Sequence, residues 1–136
     1  MPNAIRIHEQ GGPEVMRWES VDLPELGSEE IRIRHTAIGL NFIDTYQRSG
    51  LYPLNPPCGL GKEAAGVVEE VGSTVKEFKK GDRVVYVGGT SAYSEVSQIA
   101  SNLVVPIPDD VEDEVAAASM LKGMTAEYLL RRIGRV

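Results

Sequence analysis

The chain has 136 residues, of which 42% are hydrophobic and 25% are charged, as in an ordinary globular domain that needs no metal or disulfide to fold. Twenty acidic residues against 14 basic ones give a net charge of −6, which argues against nucleic acid as the main partner. The single cysteine, Cys58, excludes an internal disulfide and a multi-cysteine zinc site. Because no apolar run reaches the ~20 residues of a membrane helix and no signal-peptide core is visible, we expect a cytoplasmic protein without membrane partners.

The first 110 residues are predicted to form short strands separated by turns. Apolar and polar residues alternate in several short runs, which is the period of a half-buried strand. Glycine and proline bound most of these runs. Strands of this length and spacing indicate an all-β barrel or sandwich. The predicted strands are 5–8, 30–35, 66–72, 83–87, 92–96 and 102–107.

The last quarter of the chain is predicted to form two short helices. An aspartate in the turn 108–110 can cap the first helix, and the acidic residues 112–114 favour its first turn. Gly123 is expected to interrupt the helix, and 125–132 resumes the helical pattern before Gly134, which can cap it. The apolar side of this segment stops close to the last residue. The pattern alone leaves two alternatives open: the helix packs back on the barrel, or a second domain follows.

Two weak motifs are expected to be structural. Residues 59–64 fit the dinucleotide-binding pattern G-x-G-x-x-A, but prolines precede the run and a strand pattern follows it, so we expect a turn entering a strand. His8 and His35 are too few for a metal site, and we expect each at the surface. No Ser-His-Asp arrangement is visible.

The segment 39–53 is the strongest candidate for a binding site. It is dense in Asn, Thr and Tyr, whose side chains form hydrogen bonds without carrying charge, and tyrosine offers a flat ring for stacking. This mixture suits a neutral, planar, aromatic ligand. The alternative, which the residues by themselves favour, is a one-turn helix with two packed tyrosines.

The same segment carries a family resemblance. The run AIGLNFIDTY at 37–46 resembles the zeta-crystallin-like NADPH:quinone oxidoreductases of the medium-chain dehydrogenase/reductase superfamily, and similar runs at 48–53, 59–68, 80–84 and 116–126 extend it over essentially the whole chain. The resemblance implies a mainly β fold with short α-helices: a GroES-like, partly open β-barrel at 1–122. A helical segment at 123–136 would lead toward a Rossmann NADPH-binding domain that is absent from this chain.

The resemblance also implies a function. The chain would be the catalytic domain of an NADPH-dependent quinone reductase, inactive or nearly so alone and homodimeric in its full-length form. Zinc-dependent members place a cysteine at the position of Asn41 and a histidine at that of Lys62, so the resemblance implies the zinc-free branch. An enone or alkenal reductase and a non-catalytic binding module remain alternatives.

Site residues follow from the resemblance by position. The residues expected at the quinone are Asn41, Tyr46, Tyr52 and Thr125. The residues expected to bind NADPH are Phe42, Ile43, Asp44, Thr45, Tyr46 and Tyr128. A tyrosine hydroxyl or the asparagine amide can stabilise the negative charge that reduction places on the quinone oxygen.

Overall fold

The computed structural model describes residues 1–89 and 91–134, and within them the fold is mainly β with two α-helices, as predicted. The strands are β1 (Asn3–Ile7), β2 (Met16–Ser20), β3 (Glu30–Gly39), β4 (Cys58–Gly59), β5 (Glu63–Val71), β6 (Arg83–Val87), β7 (Val96–Ala100) and β8 (Val104–Pro106). The helices are α1 (Phe42–Ser49) and α2 (Asp113–Glu127), and a π-helix (Tyr128–Gly134) continues α2 directly.

The strands form two antiparallel sheets. The order is β2-β1-β4 in the smaller sheet and β7-β3-β5-β6-β8 in the larger one. An isolated bridge pairs Ala4 of β1 with Ser94 in the loop before β7. Within the larger sheet, β3 and β5 pair from Ile31 opposite Val71 to Gly39 opposite Glu63. This register places the end of β3 beside the start of β5, where α1 begins.

Alternation of apolar residues along the strands fills the interior. One buried cluster includes Ile31 and Ile33 of β3, with Val84 and Tyr86 of β6. A second cluster lies under α2, where small side chains let the helix approach the sheet closely. Its buried members are Ala65, Val85, Ile107, Ala116 and Ala117. The helix is thereby fixed against β3, β5 and β6.

The sequence predictions of the strands need three corrections. The strand predicted at 92–96 lies four residues later, at β7, because 91–95 forms the loop that contacts β1. β2 and the two-residue β4 were not predicted. β2 is an edge strand whose residues are almost all exposed, so it has no apolar alternation. The run 59–64 leaves β4 and enters β5, which confirms the prediction of a turn entering a strand.

The two helices predicted at the end of the chain are wrong, because α2 runs continuously through Gly123. A Cβ at that glycine would meet nothing within 4 Å, so no steric need places a glycine there. The cap is also displaced: Glu112, not an aspartate of 108–110, precedes the first helical residue. The expected boundary at residue 122 falls inside this helix, and residues 135 and 136 of the segment 123–136 lie outside the described residues.

The surface position predicted for His35 is wrong. Its Nδ1 lies 2.7 Å from the Ser94 carbonyl oxygen, and its Nε2 lies 3.0 Å from the Tyr86 hydroxyl. Tyr86 donates in turn to the Ser97 hydroxyl or to His35. Burial lowers the pKa of His35, while its hydrogen bond to the Ser94 carbonyl opposes that shift. His8 is exposed, as expected, and pairs with Glu19. Neither α-helix of the described chain has the length and hydropathy needed to cross a bilayer.

Candidate active site at the start of helix α1

The site is built where β3, β5 and α2 meet. Gly39 is the last residue of β3, and a Cβ there would collide with the Glu63 side chain and with the Ala117 carbonyl oxygen. Only glycine therefore lets the strand end pass so close to β5 and α2. Asn41 follows as the N-cap of α1 and forms a capping box with Asp44. Gly50, at a φ of 92°, ends the helix in the left-handed conformation.

The carboxylate of Glu63 is the centre of the site. Its side chain is 0% exposed. Asn41 Nδ2 donates to Oε1 at 2.8 Å, and the backbone N–H of Leu121 donates to Oε2 at 2.7 Å. A buried charge needs such partners, because an unpaired carboxylate would lose its hydration without compensation. Glu63 therefore joins α1 to α2 from inside the fold.

The ammonium group of Lys122 closes the same cluster from the outside. Nζ donates to Asn41 Oδ1 at 3.0 Å and to the Leu40 carbonyl oxygen at 3.2 Å, and lies 3.5 Å from Glu63 Oε1. The Asn41 amide is consequently held at both ends. A carboxylate can only accept and an ammonium can only donate, so the amide oxygen must face Lys122 and the amide nitrogen must face Glu63.

A second buried carboxylate lies in the first turn of α1. Asp44 Oδ2 accepts the backbone N–H of Asn41 at 2.9 Å and the hydroxyl of Tyr93 at 2.8 Å. Burial, together with the hydrogen bond and the negative charge of Asp44, raises the pKa of Tyr93 far above its usual value. Tyr93 therefore stays protonated and acts as a donor that ties the loop before β7 to α1.

The two tyrosines of the predicted site pack together. The rings of Tyr46 and Tyr52 are 5.6 Å apart and meet edge to face. Both are partly exposed, and the backbone N–H of Tyr52 donates to the Tyr46 carbonyl oxygen at 3.0 Å. Gln10 Nε2 also donates to the Tyr52 carbonyl oxygen. The two packed tyrosines of that alternative are thus present, with Tyr46 on a two-turn rather than a one-turn helix and Tyr52 in the segment that follows it.

The other predicted cofactor residues of α1 divide into exposed and buried ones. Phe42 is 80% exposed, and Thr45 is exposed beside it with its hydroxyl donating to the Phe42 carbonyl oxygen at 2.7 Å. Ile43 is half-buried and Asp44 is buried. A ligand lying on the first turn of α1 would therefore meet Phe42 and Thr45, while the Asp44 carboxylate is buried inside the fold.

The predicted residues of the last helical segment are exposed. Thr125 lies one turn after Lys122, and its hydroxyl donates to the Leu121 carbonyl oxygen at 2.7 Å. Tyr128 is the first residue of the π-helix and is half-exposed. Asn41 is brought to α2 through Lys122, whereas the described residues give Tyr128 no hydrogen bond or ring contact with α1.

Sequence reasoning missed Glu63, Lys122 and Tyr93 as members of this cluster. Glu63 had a local signal: it is an acidic residue at the first position of the buried run Ala64, Ala65 and Gly66. Lys122 and Tyr93 had none, because their partners lie 81 and 49 positions away along the chain. Among the residues that the structure describes, no three potential His, Cys, Asp or Glu ligands lie close enough to hold a metal ion.

Comparison with known proteins connects this chain to a family. The family model described as the alcohol dehydrogenase GroES-like domain matches residues 27–132. A quinone oxidoreductase of Pseudomonas aeruginosa is 52% identical over 134 residues, covering 97% of this chain and 41% of that protein. The Escherichia coli quinone oxidoreductase complexed with NADPH superposes with a TM-score of 0.93 at 48% identity, over 96% of this chain and 40% of that one.

A reductase of another kind is also similar to this chain. The 2-haloacrylate reductase of a Burkholderia species is 43% identical over 143 residues, which covers all of this chain and 43% of that protein. In each of these comparisons the chain spans about two-fifths of the relative's length.

Proposed function

Because the chain belongs to the alcohol dehydrogenase GroES-like domain family, we propose that it forms the catalytic domain of an NADPH-dependent quinone reductase. The observation that carries the proposal is the 52% identity with the Pseudomonas aeruginosa quinone oxidoreductase over 97% of this chain. Since the match spans 41% of that protein, the activity belongs to a longer polypeptide in which this domain supplies one wall of the cleft.

The exposed residues of α1 fit the nicotinamide end of the cofactor. Phe42 and Tyr46 offer exposed aromatic surface, and Thr45 lies beside them without charge. Flat, neutral surfaces of this kind suit stacking against a nicotinamide ring. NADPH in the Escherichia coli relative's structure supports this choice of cofactor.

The pyrophosphate end of NADPH does not fit the described residues. A dinucleotide pyrophosphate is bound by backbone N–H groups of a glycine-rich turn at a helix N-terminus. The run 59–64 enters β5 instead, and both described sheets are antiparallel. In the proposal, a Rossmann domain of the full-length protein binds this end of the cofactor.

The proposed roles of the residues are positioning and hydrogen bonding, because bound NADPH supplies the hydride. Asn41, Tyr46, Tyr52 and Thr125 border the quinone and provide neutral hydrogen-bonding groups. The proposed contacts to the cofactor are Phe42, Ile43, Asp44, Thr45, Tyr46 and Tyr128. Since the Asp44 carboxylate bonds Asn41 and Tyr93, its contact with a cofactor would run through the backbone.

We propose that the reaction needs no zinc. By the family resemblance, Asn41 and Lys62 stand where zinc-dependent members carry a cysteine and a histidine, and neither an amide nor an ammonium is a usual zinc ligand. Lys62 Nζ donates to the Gly89 carbonyl oxygen at 2.7 Å, so a positive charge occupies that position.

Expression of a chimaera tests the function. The chimaera joins this chain to the part of the Pseudomonas aeruginosa quinone oxidoreductase that follows the matched region. We expect it to oxidise NADPH only when a quinone is added. A folded chimaera that binds NADPH but is inert with benzoquinones and naphthoquinones would refute the proposed acceptor.

A second acceptor class is supported by one relative. The 43% identity with the 2-haloacrylate reductase makes an alkene conjugated to a carbonyl or carboxyl group the alternative substrate. Turnover of 1,4-benzoquinone, 2-chloroacrylate and an α,β-unsaturated ketone by the same chimaera distinguishes them. A kcat/KM higher for either alkene than for the quinone would favour this alternative.

The remaining proposals concern the full-length protein. We propose that it is a cytoplasmic homodimer and that nucleic acid is not a partner, the latter supported by the net charge of −6. Sedimentation of the chimaera tests the homodimer, and a gel-shift assay at physiological salt tests the absence of nucleic-acid binding.

A further inference from the structure

Lys122 is a cation at the mouth of the proposed cleft that the predicted site did not include. Nζ donates to two neutral acceptors, Asn41 Oδ1 at 3.0 Å and the Leu40 carbonyl oxygen at 3.2 Å. These contacts orient the ammonium group without cancelling its charge. Its third N–H makes no hydrogen bond within residues 1–89 and 91–134, because Glu63 Oε1, at 3.5 Å from Nζ, lies beyond the ordinary N–H···O distance. The side chain is 59% exposed, so this donor can reach a ligand.

The negative partner of Lys122 lies on its inner side. Glu63 Oε1 is 3.5 Å from Nζ and is completely buried, and both oxygens of that carboxylate already accept N–H groups of Asn41 and Leu121. The pair therefore presents its negative charge to the protein and its positive charge to the cleft. A ligand approaching from outside meets the ammonium and not the carboxylate.

The neighbours of Lys122 are residues already assigned to the acceptor. Asn41 is bonded to it directly, and Thr125 follows it by three positions, which places both side chains on one side of α2. Leu40 and Phe42 flank Asn41 and are strongly exposed, which leaves apolar surface beside the charge. A flat acceptor resting on that surface can bring one oxygen to Nζ.

Reduction of the acceptor creates the charge that such a cation stabilises. Hydride transfer to a quinone moves two electrons and one proton and gives the hydroquinone monoanion, which takes its second proton from water. Resting on the proposed function, we propose that Lys122 donates a hydrogen bond to this anionic oxygen and stabilises its charge during the transfer. A charged donor fixed before the reaction does this more effectively than a neutral amide.

The test compares Lys122→Met with Lys122→Arg in the chimaera. Loss of the cation is expected to lower kcat about 100-fold, the effect of removing one preorganised donor, with the KM for NADPH unchanged. Lys122→Arg keeps a positive charge, and its kcat is expected to stay within about tenfold of that of the unsubstituted chimaera. The double variant Glu63→Gln/Lys122→Met, which leaves no unpaired buried carboxylate, is expected to stay as slow as Lys122→Met. Recovery of kcat in the double variant would overturn the proposal.

Ligand binding gives a readout that does not depend on turnover. In the presence of NADP⁺, 4-nitrophenolate imitates the reduced oxygen and 4-nitroanisole is its neutral counterpart. We expect Lys122→Met to weaken phenolate binding at least about tenfold and to leave anisole binding unchanged. Equal phenolate affinity and equal kcat in wild type and Lys122→Met would show that Lys122 only joins α2 to α1. Phenolate discrimination without quinone turnover would support the role of Lys122 and refute the quinone function.

Discussion

Asn41 Nδ2 donates a hydrogen bond to Glu63 Oε1 across 2.8 Å, which joins the N-cap of α1 to the first residue of β5. The two residues are 22 positions apart, and both are buried. Lys122 holds the other end of the same amide. The orientation of Asn41 in the candidate site is thus set by two charged groups of opposite sign.

Glu63→Leu is expected to destabilise the domain by about 3 kcal/mol, because the leucine leaves the Asn41 amide and the Leu121 N–H without their acceptor. Glu63→Gln keeps one acceptor and is expected to cost about half as much. Urea unfolding followed by circular dichroism measures both. The control is Glu69→Gln, which breaks the partly exposed pair with Arg34 and should cost less than about 1 kcal/mol. Similar losses at positions 63 and 69 would contradict the central role of Glu63.

Two glycine substitutions should act in opposite directions. Gly39→Ala places a Cβ against the Glu63 side chain and the Ala117 carbonyl, so we expect the free energy of unfolding to fall by about 2 kcal/mol or more. Gly123→Ala lies inside α2 with free space around the new Cβ, so we expect a gain of about 0.5–1 kcal/mol from helix propensity. Thermal unfolding of both variants checks the pair. Destabilisation by Gly123→Ala would indicate that the helix is broken there.

The partly buried His35 predicts a loss of stability on mild acidification. Burial holds its pKa in the folded state below the ordinary value of 6.5, so the unfolded chain binds more protons than the folded one once the pH falls toward and below 6.5. Stability should therefore decrease as the pH is lowered from 7 to 5. His35→Gln, which cannot take up a proton, should show a shallower decrease over the same range. Parallel curves for the two proteins would refute this assignment.

Tyr46→Phe separates the chemical role of Tyr46 from its packing. The Tyr46 hydroxyl makes no hydrogen bond within the described part of the chain, and the ring contact with Tyr52 survives the substitution. We therefore expect the free energy of unfolding to change by less than about 0.5 kcal/mol. In the chimaera, kcat with a quinone should fall at least about tenfold if the hydroxyl polarises the acceptor. A lower melting temperature with an unchanged kcat would assign Tyr46 to packing alone.

Local patterns predicted much of the sheet. β1, β3 and β6 have clear apolar alternation or a compact apolar run, and each was placed within a few residues of its observed bounds. The motif resemblance is confirmed by the family match and by the similarity to quinone oxidoreductases. β2 was not predicted because an exposed edge strand needs no apolar face. β4 was not predicted because two residues are too few to show a periodic pattern.

The interior of the site could not be predicted from local patterns. Asn41, Glu63 and Lys122 meet only after β3 pairs with β5 and α2 packs across them, so no local window of sequence contains their relationship. At Gly123 a local signal was present but gave a wrong prediction, a break in the helix. Glycine weakens a helix without forbidding it, and the packing of Ala116 and Ala117 against the sheet holds α2 in place.

Titration of NADPH into this chain alone, beside the chimaera, tests most directly whether the domain is one wall of a shared cleft. The chimaera should bind NADPH with a Kd of about a micromolar, and the chain alone should bind at least about 100-fold more weakly, because the described residues provide no pyrophosphate site. Binding of NADPH by the isolated chain with a Kd near a micromolar would contradict the account.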